Sequence, residues 1–381
     1  MVLGGGVAGL AAGCALRRHG ADVTVLEQAP QIAEVGAGLQ ISPNGTRVLR
    51  ALGVEPGAFG ARAQAVELRN AAGRLVTRMD LPEEPGFYLC HRADLIAALE
   101  GALRAAGAQM RLMQQGAGVE PQPDAVSLRT ATGDARSADL LVGADGLHSM
   151  TRAHLNGPAA PAFTGQVAWR ALIPGEGPGA APVAQVFMGP GRHLVSYPLR
   201  GGRLRNIVAV EERREWAAEG WNHPADPAAM DRAFAGFGGP VPGWLAAVEQ
   251  AMLWGLFRHP VAPRWHDGAG RVALAGDAAH PTLPFLAQGA NMALEDAWVL
   301  AACLAAAPGD AAAALARYQA LRRPRCAAIV RAANRNARAY HMRPPFDVIG
   351  HTVLGLGGRL LPGLALGRFA WVHGFDATAP L

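Results

Sequence analysis

Lysine is absent from this sequence, and all 35 basic residues are arginine. Against 30 acidic residues they give a formal net charge of +5 and a pI near 9.5. The arginines are scattered. They pair at Arg17-Arg18, Arg213-Arg214 and Arg322-Arg323 but form no basic tract, which argues against nucleic acid as a partner. Cysteine is scarce, and Cys14, Cys90, Cys303 and Cys326 show neither metal-ligand nor redox spacing. Free thiols in a reducing cytoplasm are the expectation. Long apolar runs are also missing. Residues 348–372 are apolar but interrupted by Arg359, Pro362 and Arg368, so a packed helical tail is expected there in place of a membrane span. The apolar N-terminus has no basic stretch ahead of it, and its glycines fit a phosphate loop better than a signal peptide.

What is present is a globular composition. Half of the 381 residues are hydrophobic and the mean hydropathy is +0.12, enough for a large core shared by two closely connected domains. No internal repeat or long low-complexity linker interrupts the chain.

The N-terminal stretch MVLGGGVAGLAAGCALRRHGADVTVLE reads as strand, glycine loop, helix and strand. Gly4, Gly6 and Gly9 have the spacing that lets a backbone turn tightly and approach a pyrophosphate. Ala8, Ala11, Ala12 and Ala15 keep the helix slim. Glu27 closes the second strand, where a carboxylate can bind both hydroxyls of an unphosphorylated adenosine ribose, as in FAD or NAD. Only Met1 to Leu3 precede the loop. A short first strand is therefore expected, reflecting a late start codon or a trimmed N-terminus.

Further along, GAGLQISPNGTRVLRALG carries a glycine-bearing loop into a helix, and short alternating segments follow at 65–69 and 75–79. In CHRADLIAALEGALRAAG, Asp94 looks like a helix-start residue, with Arg92 just ahead of it as a surface or cofactor-binding arginine. Residues 108–144 alternate like antiparallel strands and lead into ADGLHSMTR, where Asp145 follows a strand. Between 160 and 265 proline and glycine rise, alternating strands appear, and a helix is expected near Met230–Phe237. Residues 271–301 then read as a buried strand, a turn at Gly276-Asp277, a loop and a helix. Asp277 can accept hydrogen bonds from a polyol, and the N–H groups of Gly289, Ala290 and Asn291 can meet negative charge at the helix start. Two helices, broadly over 305–340, and the apolar tail complete the chain.

Three signals thus stand in order: GGGVAG with Glu27, ADGLHSMTR, and AGDAAHPTLPFLAQGA. Together with HRADL and WVHGFDAT they resemble the single-component FAD aromatic hydroxylases, the group around para-hydroxybenzoate hydroxylase and salicylate hydroxylase. GAGLQISPN, HLVSYPL and LPFLAQGAN look closest to the branch with salicylate hydroxylase, 3-hydroxybenzoate 6-hydroxylase and 6-hydroxynicotinate 3-monooxygenase. The resemblance covers nearly the whole chain. It implies an α/β fold: a Rossmann-like FAD-binding domain with a mixed parallel sheet, a mostly antiparallel β substrate domain, and C-terminal helices. The expected division is a discontinuous FAD-binding domain (1–62, 91–153 and 267–345), a substrate domain (63–90 and 154–266) and a helical tail (346–381).

By motif, the resemblance places Gly4, Gly6, Gly9 and Glu27 at the ADP half of FAD, with Arg92 also on the cofactor. It places Asp145 in a segment serving FAD and transient NAD(P)H, Asp277 at the ribitol, and Gly289, Ala290 and Asn291 before the pyrimidine ring. Pro284 matches a proline beside the isoalloxazine. His193 and Tyr197 match a pair lining the hydroxynicotinate enzyme's pocket, while Gln40 and Phe285 replace that enzyme's histidines and argue against its substrate. The implied reaction uses NAD(P)H and O2 to hydroxylate a small phenolic or aromatic acid, salicylate- or hydroxybenzoate-like, through a flavin C4a-hydroperoxide. His193 is the candidate base for the phenol, because its unperturbed pKa lies near neutral pH. His280 is assigned to a structural turn. A reductase of the geranylgeranyl-reductase type and a non-enzymatic flavin-binding module are the alternatives. No metal is expected, no membrane is expected as a partner, and a homodimer is left open.

Overall fold

The computed structural model describes residues 1–32, 38–213, 215, 217, 218, 220, 223–360 and 363–380, without the side chains of 359, 360, 364 and 365. The Gly36 and Ala37 of the GAGLQ motif lie outside the described residues. A five-stranded parallel sheet runs in the order Val272–Leu274, Leu141–Gly143, Val2–Leu3, Thr24–Leu26, Gln109–Arg111. The short first strand sits at its centre and pairs on both sides, so two residues suffice there. Helix Val7–Arg18 buries Leu10, Ala11, Ala12 and Ala15 completely. Small residues let this helix lie close to helix Gly289–Ala306 and to helix Arg92–Ala105.

A second sheet of eight strands lies beside it, in the order Pro224–Ala225, Ala251–Arg258, Ala162–Pro174, Leu204–Glu212, Arg192–Leu199, Val183–Gly189, Ala65–Asn70, Leu75–Asp80. It is antiparallel except where Val183–Gly189 meets Ala65–Asn70. Alternation gives the sheet two faces. Trp169, Phe187, Leu194, Ile207 and Ala209 face away from the parallel sheet and pack on helices Pro227–Phe234 and Val241–Ala246. Ala168, Val210 and Trp254 face inward, against Leu283 and Phe285. Strands Gly38–Ile41, Tyr88–His91 and Gly60–Arg62 form a small sheet between the two. The antiparallel reading of 108–144 holds for 116–121, 126–130 and 135–138, whereas Gln109–Arg111 and Leu141–Gly143 join the parallel sheet.

The helical reading of 305–340 needs correcting. Helix Gly289–Ala306 ends, and one continuous helix, Ala311–Tyr340, follows with Pro324 inside it. Buried charge holds this helix in place. Arg322 is fully buried with Glu295 and Asp296, donates to Asp296 Oδ1 at 2.8 Å, and also pairs with Glu295. Breaking a buried ion set by removing one partner costs about 3–5 kcal/mol, so the arrangement is held firmly. The tail forms helix Phe346–Leu360 and shorter turns, with Arg325 donating to the carbonyls of Trp371 and Val372 at 2.9 and 2.8 Å. Among the described residues no helix is long and apolar enough to cross a membrane.

Candidate active site

Four parallel strands deliver their C-terminal ends to one edge of the sheet: Leu3 into Gly4, Leu26 into Glu27, Gly143 into Asp145, and Leu274 into Asp277. In an open parallel sheet this edge is where ligands bind. Gly4 has φ +110°, and a Cβ there would stand 2.3 Å from the Ala144 carbonyl oxygen. A Cβ on Gly9 would stand 1.9 Å from the Gly4 oxygen, and one on Gly276 would stand 2.6 Å from the Ala8 Cβ. These contacts bring the first, second and third motifs together. A Cβ on Gly6, by contrast, would meet nothing within 4 Å. That open side lies at the start of helix Val7–Arg18, which no side chain caps, and Leu10 is the first N–H to find an acceptor, in Gly6. Such a helix start attracts an anion such as a pyrophosphate.

Glu27 accepts from the N–H of Gly5 at 2.6 Å and from that of Ala29 at 2.8 Å, so it also pins the glycine loop. Glu27→Ala is expected to weaken FAD binding by about 1–3 kcal/mol, the cost of leaving buried hydroxyls without an acceptor. Titration of the apoprotein with FAD checks this, and an unchanged Kd would remove Glu27 from the site.

Asp277 follows the strand end in a short turn, accessible to solvent yet closely surrounded by protein. Burial raises its pKa, while the nearby charges of His280 and Arg92 favour the carboxylate. No described residue donates a hydrogen bond to it, so its acceptor capacity remains for a ligand. Asp296 holds the turn: it accepts from the Gly276 N–H at 3.0 Å and pairs with His280. Burial opposes charge on His280, but Asp296 outweighs it and holds the imidazole pKa well above the usual value. The assignment of His280 to a structural turn agrees with this geometry. Arg152, buried behind the second motif, donates to the Ala278 and Pro260 carbonyls at 3.2 and 2.7 Å and ties that motif to the same turn.

Two expected roles look different in the structure. Arg92 does not precede its helix but opens it, because His91 accepts from the Ala93 N–H at 3.3 Å and serves as the cap. Asp94 lies in the first turn and pairs with Arg200 at 2.7 Å. Asp145 spends its oxygens on its own loop, accepting from the Ser149 hydroxyl at 2.5 Å and from the Thr151 N–H and hydroxyl at 3.1 Å each. Burial raises its pKa against those bonds. This carboxylate shapes the segment more than it offers itself to a ligand.

Helix Gly289–Ala306 also starts without a side-chain cap, and Met292 is the first N–H to bond back, to Gln288 at 2.8 Å. The N–H groups of Gly289, Ala290 and Asn291 therefore remain available at its start. The Asn291 side chain does not. It accepts from the Ser42 N–H at 3.0 Å and donates to the carbonyls of Gln40 and Ala287 at 3.1 and 2.8 Å. Pro284 opens a short turn just ahead and is exposed, whereas Phe285 beside it is buried.

Across from this turn stands the inward face of the large sheet. Register aligns Met188, His193, Val210, Ala168 and Trp254 in one row, and Val186, Val195, Val208, Arg170 and Met252 in the next. A third row holds Tyr197 and Asn206. His193 is 2% exposed and packs 5.6 Å, ring to ring, from Phe285. Burial and the neighbouring His341 push its pKa well below the usual value, so the imidazole is neutral. A Cβ on Gly38 would stand 2.6 Å from the Tyr197 hydroxyl, which brings that phenol against the small central sheet. Burial raises the Tyr197 pKa, although the Arg170 charge opposes it. Arg170, Asn206, Asp296 and His341 were not singled out from the sequence. Only Asp296 left a trace there, as one of two adjacent acids within an apolar helix, a placement that demands buried partners.

An uncapped glycine loop, an accessible Asp277 with no donor among the described residues and a second uncapped helix start suit an FAD-dependent oxidoreductase. FAD fits these residues. Residues 1–333 match the model described as FAD binding domain, and the chain belongs to that family. The chain is 38% identical to 3-amino-4-hydroxybenzoate 2-monooxygenase of Streptomyces platensis, over 99% of this chain and 96% of the relative. It is 31% identical to salicylate hydroxylase of Pseudomonas putida, over 100% and 93%. Klebsiella pneumoniae HpxO, solved with FAD and uric acid, superposes with a TM-score of 0.84 at 26% identity, covering 95% of each chain. The protein is a single-component FAD-dependent aromatic hydroxylase that uses NAD(P)H and O2.

Proposed function

We propose that the substrate is a hydroxybenzoate-type acid, with 3-amino-4-hydroxybenzoate to be tried first because relatives of that name align over nearly the whole chain. The observation that carries this reading is the inward face of the large sheet, where His193, Arg170 and Tyr197 share the side packed against Leu283 and Phe285, which flank Pro284. Arg170 brings a positive charge that suits a carboxylate, its guanidinium lying 4.9 Å over the Trp254 ring. When bound, FAD supplies the activation of oxygen after reduction by NAD(P)H. The chain's part is to bind, orient, exclude water and move a proton. Asp277, Glu27, Gly4, Gly6, Gly9 and Arg92 would hold the cofactor, with the N–H groups of Gly289, Ala290 and Asn291 available to its ring portion. Pro284 would line the flavin end of the site, and Asp145 shapes its own loop there. His193, neutral and with Nε2 bonded to no described residue, takes the phenolic proton, and Tyr197 orients the ring.

The segments 1–62, 91–153 and 267–345 then act as the cofactor domain, 63–90 and 154–266 as the substrate domain, and 346–381 as the tail. Four free, buried cysteines support a cytoplasmic location. A homodimer is supported by helix Phe346–Leu360, which leaves Phe346, Ile349, Val353 and Leu356 exposed along one side.

The test uses purified holoenzyme with 3-amino-4-hydroxybenzoate, 3-hydroxybenzoate and salicylate. One of them is expected to accelerate NAD(P)H oxidation and to gain one oxygen atom from labelled O2. Turnover of none of the three removes the hydroxybenzoate reading, and substrate-dependent NAD(P)H oxidation without oxygen uptake points to a reductase.

A further inference from the structure

Behind His193 a line of polar groups leads to the surface. His193 Nδ1 lies 2.8 Å from His341 Nε2, and His341 Nδ1 lies 3.2 Å from Glu212 Oε1. His341 caps the end of helix Ala311–Tyr340 and is 5% exposed. Glu212 ends strand Leu204–Glu212, and its side chain is 41% exposed. Arg343 holds it at 2.9 Å. Glu212 also lines a cavity of about 480 Å³ that includes Arg258 and Arg338. The line thus begins at a buried imidazole and ends at solvent.

We propose that Glu212 and His341 set the tautomer of His193 and carry the substrate's phenolic proton between His193 and the surface. The inference rests on His193 being the base. Its logic follows from what each atom can do. A carboxylate only accepts, so Glu212 requires the His341 proton on Nδ1. In a neutral imidazole that leaves His341 Nε2 as acceptor, which requires the His193 proton on Nδ1. His193 Nε2 then carries the lone pair, and it is the nitrogen that no described residue occupies. Each ring is fixed by the bond the other nitrogen makes.

The neutral state has physical support. Burial lowers the His341 pKa, Glu212 raises it, and Arg192 and Arg343 lower it again. Around His193 stand the rings of Phe285, Tyr340 and His341, and among the described residues no carboxylate bonds to it. Proton transfer then balances without any change of oxidation state. The substrate O–H breaks as H–Nε2 forms on His193, and the His193 Nδ1–H passes to His341 Nε2. The His341 Nδ1–H passes to Glu212, which exchanges with water. The reverse movement reprotonates the product and restores the starting tautomers.

The test compares wild type, His193→Ala, His341→Gln and Glu212→Ala as holoenzymes, with whichever of the three acids wild type hydroxylates. His341→Gln keeps a donor and an acceptor but cannot relay a proton. It is expected to slow hydroxylation roughly 10- to 100-fold, with the deficit shrinking as pH rises and the substrate ionises in solution. Formate, entering the arginine-lined cavity, is expected to restore Glu212→Ala and not His341→Gln. A merely structural role would lower stability or flavin content and leave the pH profile unmoved. If His193→Ala is disabled while both other variants keep the wild-type rate and profile, the relay is overturned and the base stands. If His193→Ala itself matches wild type, the base reading fails. Independently of any substrate, nitrogen NMR of labelled histidine is expected to show His193 protonated on Nδ1, and an Nε2–H there overturns the tautomer assignment.

Discussion

Asp277→Ala is expected to purify with little or no FAD. Its carboxylate stands at the end of a central parallel strand, in a turn that Asp296 and Arg152 hold from behind. No described residue donates to it, so the substitution breaks no structural hydrogen bond; it removes what the carboxylate offers a ligand, along with its charge near His280 and Arg92. A hydrogen bond to a charged group contributes about 1.5–3 kcal/mol, and a buried hydroxyl left without an acceptor costs a similar amount. With Asp277 at the ribitol as proposed, losing two such bonds weakens binding by roughly 10²-fold or more. The ratio of flavin to protein absorbance after purification reads this directly. Asp277→Asn, which keeps the shape and one acceptor, is expected to fall between. Because the cofactor stabilises the fold that binds it, Tm falls in the same order. Full flavin content in Asp277→Ala would remove the turn from the cofactor site.

The second large effect is expected in His193→Ala, where hydroxylation slows by about 10²–10⁴, the usual worth of a general base. Flavin content is expected to stay normal. The histidine lies on the large sheet, outside the strand ends that carry the cofactor motifs; its partners are His341, Tyr340 and Phe285, the last a packing contact from the third motif's loop. Reduction by NAD(P)H continues, so more peroxide is released per NAD(P)H oxidised. Tyr197→Phe costs less, since the ring remains packed and one hydroxyl is lost. The measurement is product formed per NAD(P)H consumed on each variant. A wild-type ratio and rate in His193→Ala would return that histidine to the sheet.

Much of the cofactor half was legible because its motifs are local. A glycine at a given spacing is demanded by backbone approach within one turn, and the contacts of Gly4 and Gly9 show why no side chain fits. The strands of the large sheet were legible through alternation, which also places His193 and Tyr197 on one face. Helix ends were less so: the cap of Arg92–Ala105 is His91, an uncommon capping residue, while Asp94 was drawn into an ion pair with Arg200. Pro324 inside Ala311–Tyr340 shows tertiary packing overriding a local helix breaker, with the buried Arg322 ion set beside it.

The sequence by itself determined the first strand–loop–helix–strand unit, the three motifs and the family, because each depends on residues near one another in the chain, whereas the parallel pairing of 109–111 and 141–143 did not show in it. Only the tertiary structure decided which groups work behind them. His193 meets His341 and Glu212, and Asp277 is supported by Asp296 and faced by Arg92, through contacts between segments far apart in sequence. Whether a polar side chain is free for a ligand, as at Asp277, or already engaged, as at Asp145 and Asn291, depends on which donors the fold brings to it. Hydrogen bonding is short-ranged and directional, so that choice is made only when the sheets and helices have packed.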